Sequence, residues 1–250
     1  MLFDLHVHSK HSSDSPSPVG LILNTARRRG LAGIAIADHN TLAGSMEAWE
    51  KNKDPDFYVI PAAEYATDQG HILAFFLQEE LQGLKERDGL YFWQEVVAAI
   101  HEQGGLAFIA HPFKLRRPHA PEIWQHLDGV EIFNARAANA GNRWANEEAA
   151  QTAARYGLGK SAGSDAHWPP EIGRAVLDLP GQPGQTSLEE IKAALAAGRG
   201  EARGSLTNPL LEPAGQLLKA IRIRDLGRLP RIVAKALYLG ATSFGRREEK

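Results

Sequence analysis

Short apolar runs, many of them ending in Gly, Pro, Asp or His, alternate along this chain with longer stretches of helical spacing. Such alternation is the pattern of repeated β-α units, and it points to an α/β architecture with a largely parallel sheet. Strands are expected at residues 3–8, 33–37, 57–63, 70–76, 106–110, 128–133 and 160–163, and helices at 18–29, 41–52, 91–103, 141–156 and 187–197. With 250 residues the chain accommodates one α/β barrel, and one large core is a simpler reading than two small domains. The helix after Pro18 ends in Arg27, Arg28 and Arg29 before Gly30, a basic last turn and glycine stop that suit the helix dipole. Residues 78–90 are polar and read as a surface connection.

Composition then narrows the chemistry. There is no cysteine, which removes disulfides, thiolate metal sites, iron–sulfur clusters and cysteine nucleophiles, so any metal must be held by His, Asp or Glu. The formal net charge of -2 gives no global attraction to nucleic acid, and no stable nucleic-acid complex is expected. The amino terminus, MLFDLHVHS, is polar or ionisable from Asp4 onward, without the apolar core of a signal peptide. No later run approaches the roughly 18 apolar residues of a membrane helix. A soluble, cytoplasmic protein with no membrane partner is expected.

Placed against the predicted strands, the ionisable residues fall into a pattern. The first strand ends in His6-Val7-His8, the second in Asp38-His39, the third is followed by Glu64, and the fourth opens with His71. The fifth ends in Ala110-His111-Pro112, the seventh is followed by Asp165-Ala166-His167, and Asp14 lies in the loop after the first. An HxH at a strand end sets both rings on one face, where they can grip one ion. In a β/α barrel the active site is built at the carboxyl ends of the strands. Nine potential ligands therefore share one rim, and burying so many ionisable groups without a compensating cation is costly. Six histidines and three carboxylates with no sulfur suit Zn²⁺, Mn²⁺ or Fe and are too nitrogen-rich for a Mg²⁺ or Ca²⁺ cage. Asp38 is expected to steady a ligand, and Ser9 and Ser164 to make turns. His11 is an alternative to Asp14, while His101, His119 and His126 have no partner motif.

The motifs HVHS, SSD, ADHNT, GHIL, AHP and GSDAH, with a Glu after an apolar strand, resemble in combination the polymerase-and-histidinol-phosphatase (PHP) superfamily over roughly residues 1–178. GVEIFNARAANAGN followed by AGSDAH is similar to the later part of stand-alone PHP phosphoesterases. The resemblance implies a distorted seven-stranded β/α barrel with two or three divalent transition-metal ions. It implies that His6, His8, Glu64 and Asp165 hold one ion, that Glu64 bridges to a second held by His71 and His111, and that Asp14, His39 and His167 hold the third. Some members of the family have His where this chain has Asp14.

With such ions, the expected reaction is hydrolysis of a phosphomonoester by a metal-bound hydroxide, with the cations clamping the phosphate oxygens. No catalytic residue beyond the ligands is expected. The sixth strand ends without a ligand, in Asn134-Ala135-Arg136, a natural place for a substrate contact; a salt bridge is the alternative for the arginine. Lys114 and Arg116 follow His111 on the same rim, and Trp168 is placed to stack on a base. The expected partner is a small phosphorylated substrate, nucleotide-like or another metabolite. The alternatives are an exonuclease-like or polymerase-accessory module, disfavoured by the missing polymerase body, and a histidinol-phosphate phosphatase. The chain divides into a phosphoesterase domain at 1–208 and a tail at 209–250, where leucines and isoleucines interleave with Lys219, Arg222, Arg224, Arg228, Arg231 and Lys235. That spacing predicts a pair of basic amphipathic helices that pack on the barrel or on a partner subunit, a second copy of the chain being one candidate, rather than carry chemistry.

Overall fold

The computed structural model describes residues 1–115, 118–137, 142 and 144–244. Its elements run β1 (Leu2–Val7), α1 (Val19–Arg28), β2 (Gly33–His39), α2 (Ala43–Lys51), β3 (Tyr58–Thr67), β4 (Gly70–Phe75), β5 (Glu86–Arg87), β6 (Leu90–Tyr91), α3 (Trp93–Glu102), β7 (Leu106–Ile109), β8 (Gly129–Asn134), α4 (Trp144–Tyr156), β9 (Gly159–Gly163), β10 (Ala175–Asp178), α5 (Leu188–Ala196), β11 (Glu201–Gly204), α6 (Leu211–Arg222) and α7 (Leu229–Phe244). The main sheet has the order β11-β10-β1-β2-β3-β4-β7-β8-β9. Its β1-β2-β3 and β7-β8-β9 runs are parallel, and β4 between them is antiparallel to both neighbours.

The sheet curls until the chain just beyond β9 meets β1: Val7 and Ala166 form a parallel bridge, and the His8 amide donates to the Ala166 carbonyl at 2.8 Å. Gly163 permits this closure, because a Cβ there would collide with His6. The barrel interior holds Phe3, Leu5, Ile60, Leu73, Phe75, Phe108 and Leu177, and α5 packs Ile191 and Leu195 against it. A second apolar layer joins α3 and α4 to the outer face through Val96, Ile100, Ile109 and Val130, and a third seats α1 by Val19, Ile22 and Ala26.

All seven expected strands and five expected helices are present, and the distorted barrel with a helical appendage is the observed fold. The differences have local causes. Strand β3 runs on to Thr67, so Glu64 lies within a strand rather than after one, because the β4 hairpin gives it a partner for four further residues, with Glu64 opposite Leu73 and Thr67 opposite Gly70. Strands β10 and β11 are short antiparallel additions at the edge, and β11 (EARG) is too polar and exposed to show an apolar run. The 78–90 connection contains the small β5–β6 ladder. Among the described residues no helix is long and apolar enough to cross a membrane.

Candidate metal centre

Alternation along β1 turns His6 and His8 to the same side, at the end of the barrel where the parallel strands finish. His39 closes β2 and is in register with Glu64 on β3. His71 reaches the same rim from the opposite direction: β4 runs antiparallel to β3, so its first residues lie where β3 ends. His111 and Asp165 follow β7 and β9 in left-handed backbone conformations, with φ of 31° and 54°. Such strain in non-glycine residues collects where a structure over-determines a functional geometry.

The nine groups converge. His6 Nε2 lies 3.1 Å from His8 Nε2, 3.4 Å from Glu64 Oε1 and 3.9 Å from Asp165 Oδ1, and His8 Nε2 is 3.3 Å from the same aspartate oxygen. Glu64 Oε1 also faces His71 Nδ1 at 2.8 Å and His111 Nε2 at 3.2 Å. Asp14 sits between His39 and His167, at 3.3 and 3.4 Å from their Nε2 atoms, and its Oδ1 is buried without a hydrogen-bond donor among the described residues. Three overlapping sets, His6-His8-Glu64, His39-Glu64-His71 and His8-His39-His167, each bring ligand atoms within reach of one ion.

The surrounding hydrogen bonds show which atoms this centre presents to a cation. Glu131, a carboxylate buried on β8, accepts from His6 Nδ1 at 2.9 Å, which fixes Nε2 as the ring atom facing the cluster. Ser12 Oγ gives its proton to Asp38 Oδ1 at 2.7 Å, so it must accept from His8 Nδ1 at 3.2 Å, and His8 Nε2 is a bare lone pair. His167 Nδ1 likewise donates to the Asp165 carbonyl at 2.9 Å. Burial, then the neighbouring His167 and His39, press His8 towards its neutral form. Burial opposes the charged form of His39, yet Glu64 and Asp14 outweigh it and carry its pKa up to about 10. For Glu64, burial is overcome by His71, His6 and His39, which hold its carboxyl well below the usual range. At His8 a bare lone pair thus faces the Glu64 and Asp165 carboxylates at 3.6 and 3.3 Å, while the carboxylates around His6 and His39 hold those rings, against burial, towards their charged forms, a pull on positive charge that divalent cations with N/O preference also satisfy.

A family model described as the PHP domain matches residues 4–138, and one described as PHP-associated matches residues 143–199. The chain belongs to the PHP family. It is similar to two uncharacterised proteins of Methanocaldococcus jannaschii: 34% identical over 148 residues to one, spanning 54% of this chain and 82% of the relative, and 32% identical over 186 residues to the other, spanning 71% and 70%. Among solved structures it resembles a two-domain protein of Bacteroides vulgatus containing a predicted PHP-like metal-dependent phosphoesterase, with a TM-score of 0.66, 21% identity and coverage of 82% of this chain and 65% of that one.

Above the PHP cluster opens a cavity of about 740 Å³. Of the residues expected to touch substrate, Lys114 lines it with Nζ 3.4 Å from Asp165 Oδ2. Arg136 also reaches the wall, but Glu171 grips it bidentately at 2.8 and 2.7 Å, the salt-bridge alternative. Asn134 does not face the cavity: its Oδ1 accepts from the Arg136 and Ala137 amides and its Nδ2 donates to Glu131, so it shapes the turn. Trp168 is not among the described residues that line the cavity, and Arg116 lies outside the described residues. His11 pairs with Glu47 at 2.8 Å and takes no part, whereas Asp38 binds the Ser9 and Ser12 hydroxyls and so fixes the loop carrying Asp14. Ser164 ties its turn to Asp4 at 2.6 Å.

Two features were not read from the sequence. Glu131 resembles any acid on a strand, and only its inward position makes it the partner of His6. The tail does not pack away from the chemistry: α6 and α7 cross the rim, and Glu212, Gln216, Lys219, Arg231 and Lys235 form one wall of the cavity. Interleaved Lys and Arg were the available signal, but nothing in the tail sequence specifies the face of the barrel on which it lies.

Proposed function

We propose that this PHP protein is a metal-dependent phosphomonoesterase acting on a small phosphorylated metabolite or nucleotide-like ester. The observation that carries the reading is a cluster of nine N/O side chains, seven of them lining the floor of one cavity and His6 and His8 buried directly behind it, beneath a largely cationic wall. In this reading His6, His8, Glu64 and Asp165 hold one ion, Glu64, His71 and His111 a second, and Asp14, His39 and His167 a third. Ions bound there supply Lewis acidity, charge neutralisation and an activated water. Lys114 and Lys219 place ammonium groups at the cavity wall, where phosphate oxygens can be held against the floor. Helices α6 and α7 restrict bulk water, which strengthens each of these interactions.

The alcohol part of the ester has its own place. A second pocket of about 320 Å³ shares His71, His111 and Lys114 with the first cavity, and is otherwise lined by the apolar Leu90, Pro112, Leu115 and Pro118 and by the polar Thr67, Asp68, Gln69 and His119. It suits a flat, weakly polar group, and takes over the role that Trp168 does not fill. The cationic wall argues against histidinol phosphate, whose amine it repels. The tail across the rim argues against long DNA, which needs an open basic groove and gives a steep salt dependence.

The test is phosphate release from nucleoside monophosphates, 3′,5′-bisphosphates, histidinol phosphate and single-stranded DNA by Mn²⁺-loaded protein across a salt series. Turnover of small esters with weak salt dependence is expected. Strong, salt-sensitive cleavage of DNA with no release from small esters would overturn the reading.

A further inference from the structure

The tail reaches the Asp14 loop through one face of α6. Gly215, Lys219 and Arg222, spaced i, i+4 and i+7, lie on a single stripe of that helix. At Gly215 a Cβ would stand 3.1 Å from the Asp14 carbonyl oxygen and 3.9 Å from His167 Cδ2, so the missing side chain lets the helix settle onto two of the nine ligand residues. One turn on, Lys219 Nζ is 3.8 Å from Asp14 Oδ2. At the end of the stripe, Arg222 Nη1 donates to three backbone carbonyls of the turn that carries Asp14: Ser12 at 3.0 Å, Ser13 at 3.4 Å and Ser15 at 2.9 Å. From the other side Asp38 holds the same turn through Ser9 and Ser12. The Asp14 turn is thus clamped between the barrel and the tail.

We infer that Arg222 is a positioning residue for the ion held by Asp14, His39 and His167, and that occupancy of this position and docking of α6 are thermodynamically coupled. The inference rests on the metal-centre reading above. Asp14 is the only ligand of its set on a loop between β1 and α1, without a strand end to fix it, whereas His39 closes β2 and His167 is tied by its amide to buried Glu171 at 3.0 Å. Three carbonyls converging on one guanidinium nitrogen hold the loop at the distance where Asp14 meets both histidines. Coupling is reciprocal: an ion drawing Asp14 inward holds the carbonyls under Arg222, and α6 held on those carbonyls keeps Asp14 ready for the ion. The other two ion positions draw their ligands from the strands and the loops that directly follow them, and are independent of the tail.

The experiment titrates chelator-treated full-length protein with Mn²⁺ and counts bound ions from the electron paramagnetic resonance signal of the free metal, while limited proteolysis follows the tail. For Arg222→Ala, the weakest equivalent should lose about 10-fold or more in affinity, as outer-shell partners of metal ligands typically do. The tighter equivalents should be unchanged, and Mn²⁺ should no longer protect the tail from protease. Arg222→Lys, whose ammonium can still donate to the three carbonyls, should recover much of the loss, and Arg224→Ala should behave as wild type. Three unchanged equivalents in Arg222→Ala, equal weakening of all of them, or a wild-type protein that binds only two ions at saturation would overturn the inference and leave the two-ion phosphoesterase reading standing. Binding of no ion at all would instead overturn the reading beneath it.

Discussion

Replacing Glu131 by Gln changes one oxygen for an amide nitrogen at a residue that touches no substrate, and the hydrogen-bond network fixes what must follow. Glu131 Oε1 accepts from His6 Nδ1 at 2.9 Å, and Oε2 accepts from the His111 amide at 2.8 Å and from Asn134 Nδ2 at 2.9 Å. A glutamine that keeps its oxygen on the His111 amide and Asn134 Nδ2 turns its NH₂ towards His6. The imidazole must then accept at Nδ1 and carry its proton on Nε2, the atom that faces Glu64, His8 and Asp165. An Nε2–H cannot bind a metal. The flipped amide restores His6 but sets an NH₂ against two donors in a buried site, at a cost of about 1–3 kcal/mol. Either state weakens the ion at His6, and outer-shell substitutions of this kind cost about 10–100-fold in metal affinity, roughly 1.4–2.8 kcal/mol. Isothermal titration of chelator-treated Glu131→Gln with Zn²⁺ or Mn²⁺ should show that loss at one of the sites, while circular dichroism shows the fold intact. Wild-type affinity in the variant would refute the tautomer assignment and with it the demand for a cation at His6.

Glu64→Gln and Asp165→Asn should each lower turnover by about 10³-fold or more without unfolding the protein, whereas His101→Ala, whose ring pairs with Asp128 far from the cluster, should keep near-normal activity; phosphate-release assays with thermal melts decide, and a live Asp165→Asn beside a dead His101→Ala would reverse the site assignment. Arg136→Met leaves Glu171 charged in a buried position where it also serves the His167 and Trp168 amides, so about 3–5 kcal/mol of stability should be lost in urea unfolding; a loss below about 1 kcal/mol would show that the pair is not a structural clamp. At Asp4, burial outweighs the Ser164 and Gly173 bonds and lifts the carboxyl to about 6, and its oxygens face only donors. Asp4→Asn should therefore cost about 1–3 kcal/mol in the same assay, and an unchanged midpoint would show that the amide finds an acceptor there.

Most of the clustered side chains were legible in the sequence because they sit where a strand pattern breaks: an apolar run gives way to His or Asp, and strand geometry carries those breaks to one rim, with Asp14 on a loop and Glu64 inside β3 as the exceptions. Even His71, which opens its strand, fitted once the hairpin reversed the direction of β4. Substrate contacts were harder, since Asn134 ends β8 and Arg136 and Trp168 lie in the turns beyond strands, where sequence order says nothing of side-chain direction. Asn134 turned inward to Glu131 and Arg136 to Glu171. The tail helices followed directly from their amphipathic spacing. Their place over the cavity did not, because it depends on contacts with residues some 200 positions away, such as Arg222 with Ser12, at a separation of 210.

The central claim is that the histidine and carboxylate cluster hydrolyses small phosphate esters through bound metal. Stripping the protein with chelator, then adding back Mn²⁺ or Zn²⁺ in steps while recording bound metal per chain and phosphate released from a nucleoside monophosphate, tests it most directly. Activity should be absent from the stripped protein and rise as two to three ions bind, and Glu64→Gln should bind fewer and stay inactive. Phosphate release at full rate by the stripped protein, or no metal bound above sub-stoichiometric amounts at any concentration, would contradict it.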